Sequence, residues 1–251
     1  ISFYLERENY MAGTIAIGVQ DFGELISNNC FYIDKTSFIK EWWDNMDSVT
    51  LITRPRRFGK TLTISMLERF FSIQYYNEST IFEHLDIWKY PEYREIMGTY
   101  PAMERGLMTG ITRVSKESIF SDLNNMEVVT TTSVKYADVY GFTEDEVFSA
   151  LDEYGLSDIK DKVKRWYDGF LFGNSKDIYN PWSIINLLDK KQLGTYWANT
   201  NANGFIAKLI QEGDRNIKQL FETLLKGESI VCEIDEQIIY NQLSINDNAI
   251  W

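Results

Sequence analysis

Gly59, Lys60 and Thr61 are the residues whose types and order point most directly to chemistry. A glycine lets the backbone approach a ligand with no Cβ in the way. A lysine beside it bridges phosphate oxygens, and a threonine hydroxyl can ligate magnesium. The stretch that carries them, TRPRRFGKTL over residues 53–62, adds Arg54, Pro55, Arg56, Arg57 and Phe58. A GKT tripeptide alone has no weight, because it recurs by chance. Arg54 also stands where a phosphate loop ordinarily places its first glycine. Pro55 then fixes φ, so a rigid entry replaces a flexible one. Arg56 and Arg57 read equally well as phosphate ligands and as solvated cations.

Such a loop works only between a buried strand and a helix N-terminus, where backbone N–H groups converge on an anion. The flanks supply both. Val49-Thr50-Leu51-Ile52-Thr53 is a short β-branched run, read as a buried strand. From Thr61 to about Ser72, Leu62, Met66, Leu67, Phe70 and Phe71 recur at helical spacing. Upstream, Asp34 or Thr36 caps an expected helix with Phe38, Ile39, Trp42 and Trp43 on its buried face. Residues 73–105 are irregular, broken by Pro91, Gly98 and Pro101. Leu107-Met108-Thr109 reads as the next strand, 115–124 as a helix and 128–133 as an extended segment.

From Gly141 the pattern turns helical. Thr143 to Glu146 form a capping box, Ser157 can cap a second helix, and Asn180-Pro181 opens a third. Two more helices are expected over 205–211 and 217–225, and a strand pair over 229–240. The expected organisation is an N-terminal extension (1–14), an α/β core (15–138), a helical lid region (139–228) and a short β-rich end (229–251).

Composition bounds the possible partners. With 251 residues and 44% apolar content the chain can bury a real core. A net charge of −12 argues against nonspecific nucleic-acid binding by the whole surface, leaving only the local patch at Arg54, Arg56, Arg57 and Lys60. Cys30 and Cys232 fit no metal or redox spacing, His84 is the sole histidine, and no apolar run is long enough to span a bilayer. The opening ISFYLERENYMAG lacks the apolar core of a signal peptide, and Met11 could be a native start. The expectation is a cytoplasmic protein with no membrane partner.

Several stretches together resemble one family: IGVQDF (17–22), FYIDKTSFIKEWW (31–43), TLITRPRRFGKTL (50–62), TGITRVSKESIFSDLNN (109–125), YGFTEDEV (140–147), WYDGFLFG (166–173) and IYNPWSI (178–184). The chain looks like the bacterial AAA-ATPase-like family, whose members often carry a PD-(D/E)xK nuclease-like domain at the C-terminus. In that family arginine at the first loop position is the rule. The resemblance implies a P-loop NTPase core with a helical lid, binding ATP and Mg2+. By position it implies that Arg54 to Thr61 form the phosphate loop, with Thr61 on the magnesium. Thr109 falls at the polar sensor and Arg113 at a charge-stabilising position, while Asp34, Lys35 and Thr36 flank the nucleotide. Trp166 to Gly169 and Asn180 to Trp182 are hallmarks with no implied chemical role, read as aromatic anchors and a helix cap.

Hydrolysis in this class needs an acid after a second buried strand, to hold magnesium and activate water. The resemblance would place it between Lys60 and Thr109, yet no apolar run ending in Asp-Glu lies there. The expectation is therefore an incomplete sheet, with a segment of the parent protein absent near Ala102; the alternative is a stable natural variant that has abandoned hydrolysis. The family's sequence also continues past the final Ala-Ile-Trp. The expected activity is ATP binding, with hydrolysis only where the parent protein retains the acidic strand. The competing expectations are a non-catalytic scaffold whose lid region takes a protein partner, and a nucleic-acid-binding module linked to a nuclease domain.

Overall fold

In the computed structural model, which describes residues 13–101, 105–111, 126–197, 210, 211, 213 and 215–231, the β-branched run forms strand β1 (Val49–Thr53). Its last four residues are buried, as expected of a strand covered on both faces. β1 lies in the middle of a three-stranded parallel sheet, between β2 (Gly106–Gly110) and β3 (Met126–Val129). The register pairs Ile52 with Thr109 on one side and with Val129 on the other. The fold is thus mixed α/β, with a parallel sheet and helices consistent with a P-loop-like core.

Before the sheet come α1 (Phe22–Ser27) and α2 (Ser37–Asp44); after β1 comes α3 (Lys60–Phe71). Phe22, Phe38, Ile39, Ile52, Met66 and Phe70 meet in one apolar cluster behind the loop. The irregular stretch that follows resolves into 3-10 turns at Ile73–Tyr75, Ser79–Phe82 and Asp86–Lys89 and a short helix α4 (Pro91–Ile96). Pro91 occupies the first turn of α4, where its missing N–H costs nothing.

The second half supplies α5 (Glu144–Glu153), α6 (Lys160–Tyr167), α7 (Pro181–Lys190) and α8 (Arg215–Leu225). The Thr143–Glu146 capping box forms in full. Ser157 begins a 3-10 turn, Ser157–Ile159, that leads into α6. Between α6 and α7 lies a hairpin that helical periodicity alone does not show: β4 (Phe170–Phe172) antiparallel to β5 (Ser175–Ile178). Phe172 and Ile178 of this hairpin belong to the first apolar cluster, beside Ile52 and Phe58. Conversely, Ile15, Phe31 and Ile33 pack against the second cluster, formed by α5, α6 and α7. The two halves of the chain therefore interlock at the loop, and the β4–β5 hairpin is built into the sheet's own core.

Beside β2, Trp42, Trp43, Leu67, Phe71, Tyr100 and Leu107 line an apolar groove of about 380 Å³. Among the described residues β2 pairs only with β1, so its outer edge is unpaired. The expected junction at Ala102, the 115–124 helix, most of the 205–211 helix and most of the 229–240 strand pair lie outside the described residues. Among the described residues, no helix is long and apolar enough to cross a membrane.

Candidate functional site

β1 runs straight into the loop, and α3 starts at Lys60 with Gly59 as its N-cap. Gly59 has φ +80° and ψ 4°, a left-handed conformation that favours glycine. Arg57 also has positive φ, +68°, whereas Phe58 does not. From Arg57 to Lys60 the sign of φ thus alternates, and such alternation turns successive N–H groups toward a common concave side. Thr63 ties the turn to the helix, its N–H donating to the Gly59 carbonyl at 3.0 Å.

Lys60 does not extend into solvent. Its Nζ donates to the carbonyls of Arg54 (3.0 Å) and Pro55 (2.6 Å), folding back over the loop it follows. Burial, with a smaller contribution from the Arg56 charge, lowers its pKa to about 8. Arg54 behaves otherwise. Its side chain is 0% exposed and points into the core, where Nη1 donates to Thr53 O (2.9 Å) and Thr130 O (2.6 Å), and Nη2 to Tyr136 O (3.2 Å). The faces of Phe172 and Tyr140 lie 4.8 and 5.9 Å from the guanidinium carbon. Carbonyl dipoles and ring faces, not a carboxylate, compensate this buried cation. Burial lowers its pKa to about 10, so it remains charged near neutrality. Arg54 is thus a strut that ties the end of β1 to the segment leaving β3.

Phe58, 1% exposed, anchors the middle of the loop. Its ring meets Phe170 and Phe172 of β4 edge-on, with centroids at 5.0 and 5.4 Å. Gly141 makes this possible, because a Cβ there would stand 3.1 Å from the Phe58 ring. Just before it, Arg56 and Arg57 are exposed. The Arg57 guanidinium stacks on Trp182 at 3.9 Å, and the Arg56 carbonyl accepts from Asn180 Nδ2 (3.3 Å) and Trp197 Nε1 (3.1 Å).

The loop opens on a cavity of about 560 Å³, lined by Arg56, Arg57, Gly59, Lys60 and Thr61 on one side and by Ile15, Val19, Phe142 and Trp182 on another. A cationic rim beside an apolar wall suits a ligand with an anionic end and a flat apolar end. Among the described residues, no aspartate or glutamate lines this cavity.

The flanking triplet divides. Lys35 lines the cavity, but its ammonium is paired with Glu146 at 2.6 Å and donates to Asp138 O at 2.8 Å. Asp34 accepts from Thr36 N, Thr36 Oγ1 and Asp86 N, while Thr36 Oγ1 accepts from Ile87 N. Asp34 and Thr36 therefore fasten the Asp86–Lys89 turn to the start of α2. Thr109 stands in β2 opposite Ile52, next to Gly110, whose carbonyl accepts from Arg54 N–H at 3.1 Å. Arg113 lies outside the described residues. His84 is exposed.

Asp168, from the WYDG stretch, comes together with Glu144 and Asp177, carboxylate oxygens within 4.8 Å of one another. Lys164 pairs with Glu144 at 2.5 Å and Tyr179 donates to the same carboxylate at 3.1 Å. Burial and the neighbouring Asp177 raise the Asp168 pKa. This group belongs to the packing of α5, α6 and the hairpin, away from the loop cavity.

Comparison with known proteins bears on the first part of the chain. The model of a family described as "Predicted AAA-ATPase" matches residues 16–104, a span that contains β1, the loop and α3. An "uncharacterized protein in vnfD 5′ region" of Azotobacter chroococcum mcd 1 is 31% identical over 108 residues. The match covers 42% of this chain and only 20% of that relative. No solved structure matches. Residues 16–104 are accordingly similar to a predicted AAA-ATPase domain, and that similarity includes the strand, loop and helix described above.

Proposed function

We propose that this protein binds a magnesium nucleotide, ATP by the resemblance of its sequence, with its phosphates in the loop from Arg54 to Thr61. The observation that carries this reading is the alternation of φ from Arg57 to Lys60, at the junction of a parallel strand and a helix N-terminus. In this reading the loop N–H groups hold phosphate oxygens. Lys60 leaves the Arg54 and Pro55 carbonyls and bridges the terminal phosphates. The Thr61 side chain, exposed at the cavity, is the protein's magnesium ligand. Arg56 and Arg57 add charge at the rim. Arg54 holds no phosphate itself, since its guanidinium is committed to the core and its N–H to the Gly110 carbonyl; it fixes the entry of the loop.

The magnesium would screen the phosphate charge and polarise the terminal phosphoryl group. Hydrolysis needs a carboxylate near that metal, and among the described residues none lines the cavity. The proposal is therefore nucleotide binding, with hydrolysis reserved for a form of the protein that carries the missing acidic strand. Calorimetry with Mg-ATP tests the reading: saturable binding by the chain, lost in Lys60→Ala, is the expected result. Absence of binding at millimolar Mg-ATP overturns it.

A further inference from the structure

The hallmark residues Asn180 and Trp182 and the nearby Trp197 are left without a role by the reading above, yet all three touch the loop. We infer that they are positioning residues for the phosphate loop, with Asn180 and Trp197 aiming the Arg57 amide through the Arg56 carbonyl. The inference rests on the nucleotide-binding reading for its functional consequence, but its structural core can be tested without a nucleotide.

The physical argument is the geometry of one peptide unit. A trans peptide is planar, so its carbonyl and its N–H point in opposite directions. The Arg56 carbonyl accepts from two donors at once, Asn180 Nδ2 and Trp197 Nε1. Holding that oxygen toward α7 turns the Arg57 N–H away from α7. Arg57 is where the alternating-φ run begins, and it adopts its +68° φ without being glycine. A bulky residue in that region is strained and reverts unless its surroundings fix it. The surroundings that do so are contributed by residues far along the chain: Asn180 and Trp197 on the preceding carbonyl, and the Trp182 ring under the Arg57 guanidinium. Phe58, wedged against β4, holds the next residue. Trp197 reinforces that wedge, its ring meeting Phe170 at 5.7 Å and 88°.

Asn180 has two separable duties. Its Oδ1 accepts from Ser183 N at 3.2 Å and caps α7, while its Nδ2 donates to Arg56 O. Serine caps helices about as well as asparagine but is too short to reach the loop. Asn180→Ser therefore keeps the helix start and deletes the tether. Trp197→Phe likewise keeps an aromatic ring against Phe170 and deletes the indole donor.

The test uses the full chain and these two variants, singly and combined, with two readouts. The first is the rate of trypsin cleavage after the exposed Arg56 and Arg57 in the nucleotide-free protein, with cleavage within α6 as an internal control. The expected result is loop cleavage faster by about threefold to tenfold for each lost hydrogen bond at the loop and unchanged cleavage in α6. Unchanged loop cleavage in the double variant overturns the inference, whether or not the protein binds nucleotide. The second readout is Mg-ATP affinity, expected to fall by at least about tenfold in the double variant while its melting temperature stays close to the parent's. Equal affinity in parent and double variant also overturns it. Faster loop cleavage in the variants of a parent that binds no Mg-ATP sinks the nucleotide reading and leaves the positioning role standing.

Discussion

Arg54 and Lys60 stand six positions apart at the two ends of one loop, and both direct their charge at backbone carbonyls. The likeness ends there. Arg54 is completely buried and spans from β1 to the segment after β3, so its partners lie far apart in the chain. Among the described residues, Lys60 bonds only to carbonyls of the loop itself, and it borders an open cavity. The first arrangement builds the frame; the second stores a cation where an anion can claim it. What separates them is the cost of letting go. Releasing Arg54 would leave a buried charge and three orphaned carbonyls, while releasing Lys60 delivers its ammonium to the cavity and deprives two carbonyls of a donor, one of them on the buried Arg54.

The largest effect should follow from breaking the frame. Arg54→Ala removes three hydrogen bonds and leaves a void among Phe172, Tyr140 and the β3 exit. A loss of about 3–5 kcal/mol is expected in denaturant unfolding. If Arg54→Ala instead kept full stability and lost only Mg-ATP affinity, the two cations would be equivalent and the distinction would collapse. Lys60→Ala is the mirror experiment. Charge-assisted hydrogen bonds to phosphate are worth about 1.5–3 kcal/mol, so affinity should fall by about ten- to a hundredfold. Stability should change little, because the wild-type ammonium is itself partly desolvated.

The same desolvation gives Lys60 a pH signature. Its folded-state pKa of about 8 lies below the ordinary 10.5. Above about 8 the folded chain has released this proton while the unfolded chain still holds it, so this group makes stability rise with pH until the ordinary lysine range is passed. Nucleotide binding should run the other way. If phosphates take the protonated form, affinity falls by about tenfold per pH unit above 8, and binding near pH 8 takes up a proton. Calorimetry in buffers of differing ionisation heat measures that uptake, which should vanish in Lys60→Ala. An uptake that persists in the variant would assign the proton to another group.

The contrast was only half legible in the sequence. The β1–loop–α3 succession follows from a β-branched run, Gly59 and the spacing of Met66, Leu67 and Phe70. The capping box at Thr143 and the Asn180 cap were equally readable, because a cap involves residues three positions apart. The destination of Arg54 was not readable. An arginine among arginines reads as a basic patch, and its acceptors at Thr130 and Tyr136 lie 76 and 82 positions along the chain. Asn180 Nδ2 reaching Arg56 across 124 positions is hidden for the same reason. The β4–β5 hairpin did leave a signal: Gly173-Asn174 between FLF and SKDI has the composition of a two-residue turn, and Gly173 adopts φ +53°. Distance in sequence, and not weakness of the interaction, is what concealed these roles.

Gly59, between the frame and the releasable cation, gives the finest division of the comparison. A Cβ there would meet nothing within 4 Å, so crowding contributes nothing to the cost of a substitution. Only the +80° φ opposes a side chain. Gly59→Ala should therefore lose about 1 kcal/mol of stability, and Gly59→Asn less, because asparagine tolerates the left-handed region. Were the frame alone to set the loop's shape, alanine would be forced to keep φ positive and Mg-ATP affinity would follow stability. Were the run of alternating φ only marginally held, Gly59→Ala would relax it and lose affinity beyond the stability change, with asparagine restoring it. Measuring unfolding and Mg-ATP binding on the two variants together decides between these, because the frame ends at Arg54 and the site begins where the backbone first turns left-handed.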